Sequence, residues 1–305
     1  DVRVEFENNA RDHRLRAVFP TPFNVESAVA DSAFEHVSRP LKPPKGDDWR
    51  QKPGNTHPMQ SFFDISDGKA GLADLADLAG LAGLAILARG LPEYEARKTR
   101  NGTTGYLTLL RCVGVLSRKS LPARPEQAGP DLPTPEAQCP GSHRFEYSIF
   151  PHGGGGIGEV FARAAAFNCP LLGVPAGNFH DGDAIVAEAE ATGGLIIREI
   201  GKVDSPLPDS GSPLCGSLVS IKPAALVATA LRLRENGRLE MRFFNSSKEK
   251  AETKIETFMP VESVEKVNFL GEREGEQPKI AGSNLITLKV TPWEIVTLHV
   301  KFKTA

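Results

Sequence analysis

The sequence predicts an all-β, largely antiparallel fold built as a sandwich. Three observations lead there. Apolar and polar residues alternate with a period of two along many short runs, which places one face inward and one outward as in an antiparallel sheet. Asn-Gly pairs stand between such runs at the places where hairpins turn. The 305 residues include 24 prolines, many of them gathered at 40–58 and 122–140, where they read as long connections between strands.

In chain order, the alternating runs are VRVEF at the start, HRLRAVF at 13–19, SFFDIS at 61–66, TTGYLTLL at 103–110, HRFEYSIF at 143–150 and GGLIIREI at 193–200. Beyond residue 220 come ATALRLRENGRLEMRFFN, NLITLKV and EIVTLHVKF. Asn236-Gly237 predicts a tight primed turn, because both residues tolerate positive φ. Asn101-Gly102 is a second such candidate. Residues 71–85 break the pattern with five triplets, GLA DLA DLA GLA GLA. Alanine and leucine favour helix, yet a period of three winds the leucines around a helix instead of stacking them on one side. A short helix, an irregular loop and an extended strand all fit this segment, which reads as a tandem expansion within a loop. A composition shift near Pro206–Pro223 marks a boundary, giving one domain over 1–220 and a small β-domain over 221–305.

Composition excludes several classes of function. Hydrophobic residues make up 40% and charged residues 24%, with a net charge of −2, and the basic residues are scattered. That leaves no basic stripe for nucleic acid. No apolar run is long enough to span a bilayer as a helix. The opening DVRVEFENN has neither an initiator Met nor the apolar core of a signal peptide, and it starts within an alternating strand, which points to an N-terminus upstream of Asp1. Cys112, Cys139, Cys169 and Cys215 form no closely spaced pair, as a structural zinc site would. They read as reduced thiols, some buried, in a cytoplasmic protein.

Several motifs carry candidate chemistry. Gly153-x-Gly155-x-x-Gly158 matches a dinucleotide-binding turn between FEYSIF and a possible helix, EVFARAAAF. However, Glu146 and Ser148 alternate with Phe145, Tyr147 and Ile149, so one face of the preceding strand is wet, unlike a buried parallel strand. A glycine loop is the better reading. His180, Asp181 and Asp183 have spacing that could serve a metal but is commoner in a polar turn. Glycosidases work with carboxylate pairs, and two pairs stand out, Asp64 with Asp67 and Glu93 with Glu95. On a strand, Glu93 and Glu95 would share a face. A solvated edge or loop is the plain reading of both pairs. No GxSxG elbow is present.

Several stretches resemble the C-terminal region of glycoside hydrolase family 38, the α-mannosidases, in its bacterial and cytosolic branch. They are DISDG (64–68), GLAILARGLPEYE (83–95), LTLLRCVGVLSR (107–118), AGPDLPTPEAQCPGSHRFEYSIFPHGG (128–154), CPLLGVPAG (169–177) and TPWEIVTLHVKF (291–302). They occur in the family's order. The resemblance implies a large, galactose-mutarotase-like antiparallel supersandwich followed by a small β-sandwich. It also implies a parent enzyme that hydrolyses α-mannosides with retention, using an aspartate nucleophile, an acid/base carboxylate and a zinc-type divalent ion, all held by an N-terminal barrel. No matching motif occurs in this chain, so no catalytic residue, metal ligand or cofactor is assigned to it.

Two departures from the family have consequences. The family shows one GLA where this chain has five triplets. The family's sandwich also begins upstream of Asp1, so the sheet is expected to have an open edge that pairs with the missing N-terminal catalytic region, a second polypeptide or another copy of the chain. Loops of the family's C-terminal sandwich approach the sugar site, and position singles out Arg89, Glu93 and Glu95 in RGLPEYE as substrate-proximal candidates; tying the loop to a domain interface is their alternative role. The expected function is thus the non-catalytic part of an α-mannosidase, inactive alone. The alternatives are an independent carbohydrate-binding module, disfavoured by only two Trp and three Tyr, and a purely structural or oligomerising β-module.

Overall fold

The structure, a computed structural model, describes residues 1–67, 82–153, 156–169, 187–189, 195–197 and 219–303. Its chain divides into two compact units, Asp1–Gly155 and Gly156–Ala305. The architecture is nearly all β and antiparallel, as the alternation predicts.

The first unit contains strands β1 (Val2–Asn8), β2 (Arg14–Thr21), β3 (Ser27–Ser32), β4 (Glu35–Pro40), β5 (Thr56–Pro58), β6 (Phe62–Ser66), β7 (Gly83–Arg89), β8 (Glu93–Thr99), β9 (Gly102–Arg111) and β10 (Gly141–His152). They form a six-stranded sheet in the order β1-β10-β7-β6-β3-β4 and a four-stranded sheet in the order β2-β9-β8-β5. One hydrophobic core lies between them. Ala30, Phe63, Ile65, Ile86 and Ala88 come from the first sheet, and Phe19, Tyr94, Ala96 and Leu107 from the second. Tyr94 stacks on Phe63 with ring centroids 5.0 Å apart.

The alternating runs fall on β1, β2, β6, β9 and β10. Strand β7 escaped that pattern for a physical reason. Both of its faces are buried, with Ala85 and Leu87 covered on one side and Ile86 and Ala88 on the other, so GLAILAR shows no wet face to alternate against. Of the five triplets, 71–81 lie outside the described residues, while Gly83-Leu84-Ala85 opens β7 as strand. The proline-rich stretch 122–140 contains a 3-10 turn at Pro135–Gln138. Asn101-Gly102 does close a hairpin, with Thr99 paired to Gly102.

The second unit opens with helix α1 (Ile157–Asn168). The short strands β11 (Ala187–Ala189) and β12 (Leu195–Ile197) pair with each other. Then follow β13 (Val219–Lys222), β14 (Leu226–Leu233), β15 (Leu239–Asn245), β16 (Ala251–Thr257), β17 (Val261–Val267), β18 (Lys279–Ala281), β19 (Leu285–Val290) and β20 (Ile295–Phe302). Two four-stranded sheets, β13-β16-β19-β18 and β14-β15-β20-β17, enclose a core of Met241, Phe243, Ile255, Ile286, Val296, Leu298 and Val300. The strict alternation of AETKIET buries every second residue of β16.

Asn236-Gly237 joins β14 to β15 as expected, but not through a primed turn. Among residues 234–238 only Gly237 has positive φ, at 72°. The Gly237 amide donates to the Arg234 carbonyl at 2.9 Å, and the Arg234 amide to the Arg238 carbonyl at 2.8 Å. This is a longer loop closed by a glycine bulge, and the Asn236 side chain accepts from the Arg238 amide at 3.1 Å instead of setting a left-handed backbone.

The GxGxxG match is resolved by its surroundings. Strand β10 has antiparallel neighbours on both sides, β1 and β7, which is incompatible with the parallel βαβ unit of a dinucleotide fold. Helix α1 does follow, and it buries Val160, Phe161 and Ala164; Phe161 meets Phe244 edge-on at 5.6 Å. Gly158 serves packing, since a Cβ there would lie 2.4 Å from the Ala224 carbonyl oxygen.

Candidate functional site

The segment RGLPEYE crosses from one sheet to the other. Arg89 ends β7 in the six-stranded sheet, Gly90-Leu91-Pro92 makes the crossing, and Glu93 opens β8 in the four-stranded sheet. The structure therefore separates Arg89 from the two carboxylates. Arg89 is ion-paired with Glu146 on the neighbouring strand β10. Glu146 also receives Arg144, whose hydrogen bond is the main reason that its carboxyl sits below the usual range, helped by the charges of Arg89 and Arg3.

Glu93 and Glu95 do share a face, as strand geometry requires, and it is the face turned away from the core. Glu95 accepts from Arg16 at 2.5 Å and from the Nε of Arg97 at 2.6 Å. Glu93 accepts from the Thr108 hydroxyl at 2.7 Å, with Arg14 3.8 Å away. Tyr106, directly opposite Glu95 on β9, lies beneath Arg16, whose guanidinium carbon is 4.5 Å from the ring centroid. The plain reading of Glu95 as a solvated residue is corrected here, because its side chain is only 2% exposed. Charge compensation by two arginines permits that burial. Arg16, Arg97, Tyr106 and Thr108 escaped the sequence reading because they stand on three different strands. HRLRAVF places Arg14 and Arg16 on one face, but only the register sets that face beside Glu95.

The other carboxylate pair also differs from a solvated loop. Asp64 is buried on β6, where it meets His152 Nε2 at 2.9 Å and accepts from the Ser66 hydroxyl at 2.8 Å. The serine donates to the aspartate and not to the histidine, so these three residues are not arranged as a nucleophile, base and orienter. His180, Asp181 and Asp183 lie outside the described residues. Among the described residues no group of three His, Cys, Asp or Glu side chains is placed to hold a metal ion. Cys112, Cys139 and Cys169 are free thiols. Burial pushes the Cys112 thiol up, with Cys139 adding to the effect, which is the opposite of what a reactive thiolate needs. Among the described residues, no helix is long and apolar enough to cross a membrane.

Comparison with known proteins fits this geometry. Residues 225–298 match the family described as "Glycosyl hydrolases family 38 C-terminal beta sandwich domain". The chain is 29% identical over 304 residues to a "Putative mannosylglycerate hydrolase" of Halalkalibacterium halodurans, covering 98% of this chain and 26% of that protein. Among solved structures, an α-mannosidase from Enterococcus faecalis aligns over 98% of this chain and 27% of its own, with 23% identity and a TM-score of 0.63. A family 38 glycosyl hydrolase from the same organism aligns over 98% of this chain and 28% of its own, with 22% identity and a TM-score of 0.62. The chain spans about a quarter of the length of each relative. Residues 225–298, the second sandwich, are thus similar to the C-terminal β-sandwich domain of glycoside hydrolase family 38, and the likeness to the hydrolase of Halalkalibacterium halodurans runs along nearly the whole sequence.

Proposed function

We propose that this chain is the non-catalytic C-terminal β region of a retaining α-mannosidase-type glycoside hydrolase. On this reading, a catalytic barrel outside these residues holds the nucleophile, the acid/base carboxylate and a zinc-type ion. One observation carries the proposal: almost all of this chain aligns with only about a quarter of each relative. The side chains agree. Both oxygens of Glu95 are taken by guanidinium groups, and such a carboxylate is built to hold arginines, not to exchange protons with a glycosidic oxygen.

Within that reading Glu93 and Glu95, with Arg14, Arg16 and Arg97, form the polar outer surface from which loops approach the sugar site. Arg89 braces the sheet through Glu146. Strand β1 is an edge strand of the six-stranded sheet among the described residues, so its free ladder is the natural place for the upstream region or a second copy to pair. The free thiols support a reducing, cytoplasmic setting.

The test is cleavage of an aryl α-mannoside. The purified 305-residue chain, with divalent metal added, is expected to show no turnover, and the same residues fused to the upstream barrel are expected to show it. Turnover by the isolated chain would overturn the reading.

A further inference from the structure

Positive charge that looks scattered in the sequence collects on one face of the second sandwich. Residues 219–303 contain five arginines, Arg232, Arg234, Arg238, Arg242 and Arg273. All five engage one of two carboxylates on the outer side of the sheet β14-β15-β20-β17. Arg232, Glu240, His299 and Glu265 form a direct cross-strand row over all four strands. Glu240 is buried in the middle of it. It accepts from Arg232 at 2.8 Å, Arg234 at 2.9 Å and Arg242 at 3.4 Å, and it meets His299 at 3.2 Å. Glu265 takes Arg238 and lies 4.0 Å from Arg273. Five guanidinium groups thus contact two carboxylates, so positive charge is in excess within the cluster.

The arginines are held but not used up. Arg232 donates to Glu240 through Nε alone, Arg234 through a single terminal nitrogen, Arg238 to Glu265 through a single terminal nitrogen, and Arg273 stands 4.0 Å from Glu265. Their remaining N–H groups have no acceptor among the described residues. A guanidinium carries five donors in a rigid fork suited to carboxylates. The loop after β17 adds an apolar platform. Asn268 pins it by accepting from the Leu270 and Glu272 amides. It carries Phe269 over Arg242, with the guanidinium carbon 4.6 Å from the ring centroid. Phe269 is nevertheless 63% exposed, so the ring remains open to a ligand.

We propose that this face binds acidic carbohydrate, with a sugar ring stacked on Phe269 and its carboxylate received by the free donors of the arginine cluster. Glu240 acts as the buried anchor that aims Arg232, Arg234 and Arg242. A local excess of guanidinium groups suits one or a few carboxylates, and the exposed Phe269 ring suits the apolar face of one sugar. A nucleic acid asks for a longer basic track with several stacking rings. The proposal does not depend on the assignment of catalysis to an upstream barrel.

The test is calorimetric titration of the full chain with tri-galacturonate, at low ionic strength and again at about 0.15 M salt. Maltotriose, inorganic phosphate and a single-stranded oligonucleotide serve as comparisons. Tri-galacturonate is expected to bind, more weakly at the higher salt, and maltotriose to give no heat. The double change Arg238→Gln with Arg273→Gln and the single change Phe269→Ala should each weaken binding about tenfold, the scale of one lost charge-assisted contact or stacked ring. These side chains do not touch Glu240, and Glu265, which loses both partners in the double variant, is 30% exposed, so the urea midpoints should fall by no more than the loss of a surface ion pair allows. Absence of tri-galacturonate binding, or binding unchanged in both variants, overturns the proposal. So does phosphate binding as tight as tri-galacturonate and indifferent to Phe269→Ala, or tighter binding of the oligonucleotide.

Discussion

Arg16 of β2 reaches across β9 to Glu95 of β8, closing a 2.5 Å ion pair over the ring of Tyr106. The two partners are unequal, since the Glu95 side chain is 2% exposed and that of Arg16 is 26% exposed. Removing the carboxylate leaves arginines that can turn to water, so Glu95→Ala should cost about 1–3 kcal/mol. Removing Arg16 leaves a buried charge with one partner, and Arg16→Ala should cost about 3 kcal/mol or more. Arg97→Ala should cost less than Arg16→Ala, because Arg97 is half exposed and solvent screens its charge. Urea midpoints of the three variants check this order; a reversed order for the two arginines would show that neither the Arg16 ion pair nor its closer packing on Tyr106 sets the stability.

Glu240 should make stability depend on acid pH. Burial alone would raise its carboxyl, but hydrogen bonds from Arg232 and His299 and the charges of Arg232 and Arg234 outweigh that and hold it below the usual range. A folded pKa below the unfolded one contributes stability above the unfolded value, about 4.3 for Glu, and loses it as pH falls through the folded value. Wild-type stability should therefore drop on acidification below about pH 4.3. In Glu240→Gln that drop should be shallower, with a lower plateau at neutral pH. Urea titrations at a series of pH values give both curves, and parallel curves would exclude Glu240 as a source.

Asp31 should act in the opposite sense. Burial raises its carboxyl, only partly offset by hydrogen bonds from the Ser61 hydroxyl and the Ser61 and Gln60 amides. With the folded pKa above the unfolded one, its contribution is complete below about pH 3.9 and is lost as pH rises through the folded value. Asparagine can still accept from the Gln60 amide, which lies 3.1 Å from Oδ1, and can donate to Ser61. Asp31→Asn is thus expected to match or exceed wild-type stability at neutral pH and to flatten the profile above about pH 3.9. A loss of more than about 1 kcal/mol at neutral pH, the size of one net hydrogen bond, would mean that the charge itself is needed.

Gly158 sets helix propensity against packing. Inside α1, alanine is better than glycine by about 1 kcal/mol. The added Cβ would meet the Ala224 carbonyl oxygen at 2.4 Å and its carbon at 2.9 Å, backbone atoms that cannot swing aside. Overpacking of this kind costs about 1–3 kcal/mol, so Gly158→Ala should be net destabilising. Thermal melts decide it, and a raised midpoint would show that the helix can shift freely.

The sequence by itself determined the fold class and the strands with one wet face. VRVEF carries its burial in its alternation, whereas in HRFEYSIF Ser148 is buried and Ile149 exposed and in EIVTLHVKF both faces are covered over Val296–Val300; the resemblance in DISDG and GLAILARGLPEYE named the family whose C-terminal domain residues 225–298 match. It also placed the hairpin at Asn236-Gly237. The turn's geometry was hidden, because Arg238 and Arg234 close the loop by backbone hydrogen bonds that any residue could make. Strand β7 was hidden because a strand buried on both faces shows no period of two. Only the tertiary structure decided which charges meet. Arg89 and Glu93 are four residues apart in sequence yet lie on different sheets, while Arg16 and Glu95 are distant in sequence and touch. The same holds for the five arginines around Glu240 and Glu265. Cross-strand register depends on long-range pairing of whole strands, and no local pattern of residues records it.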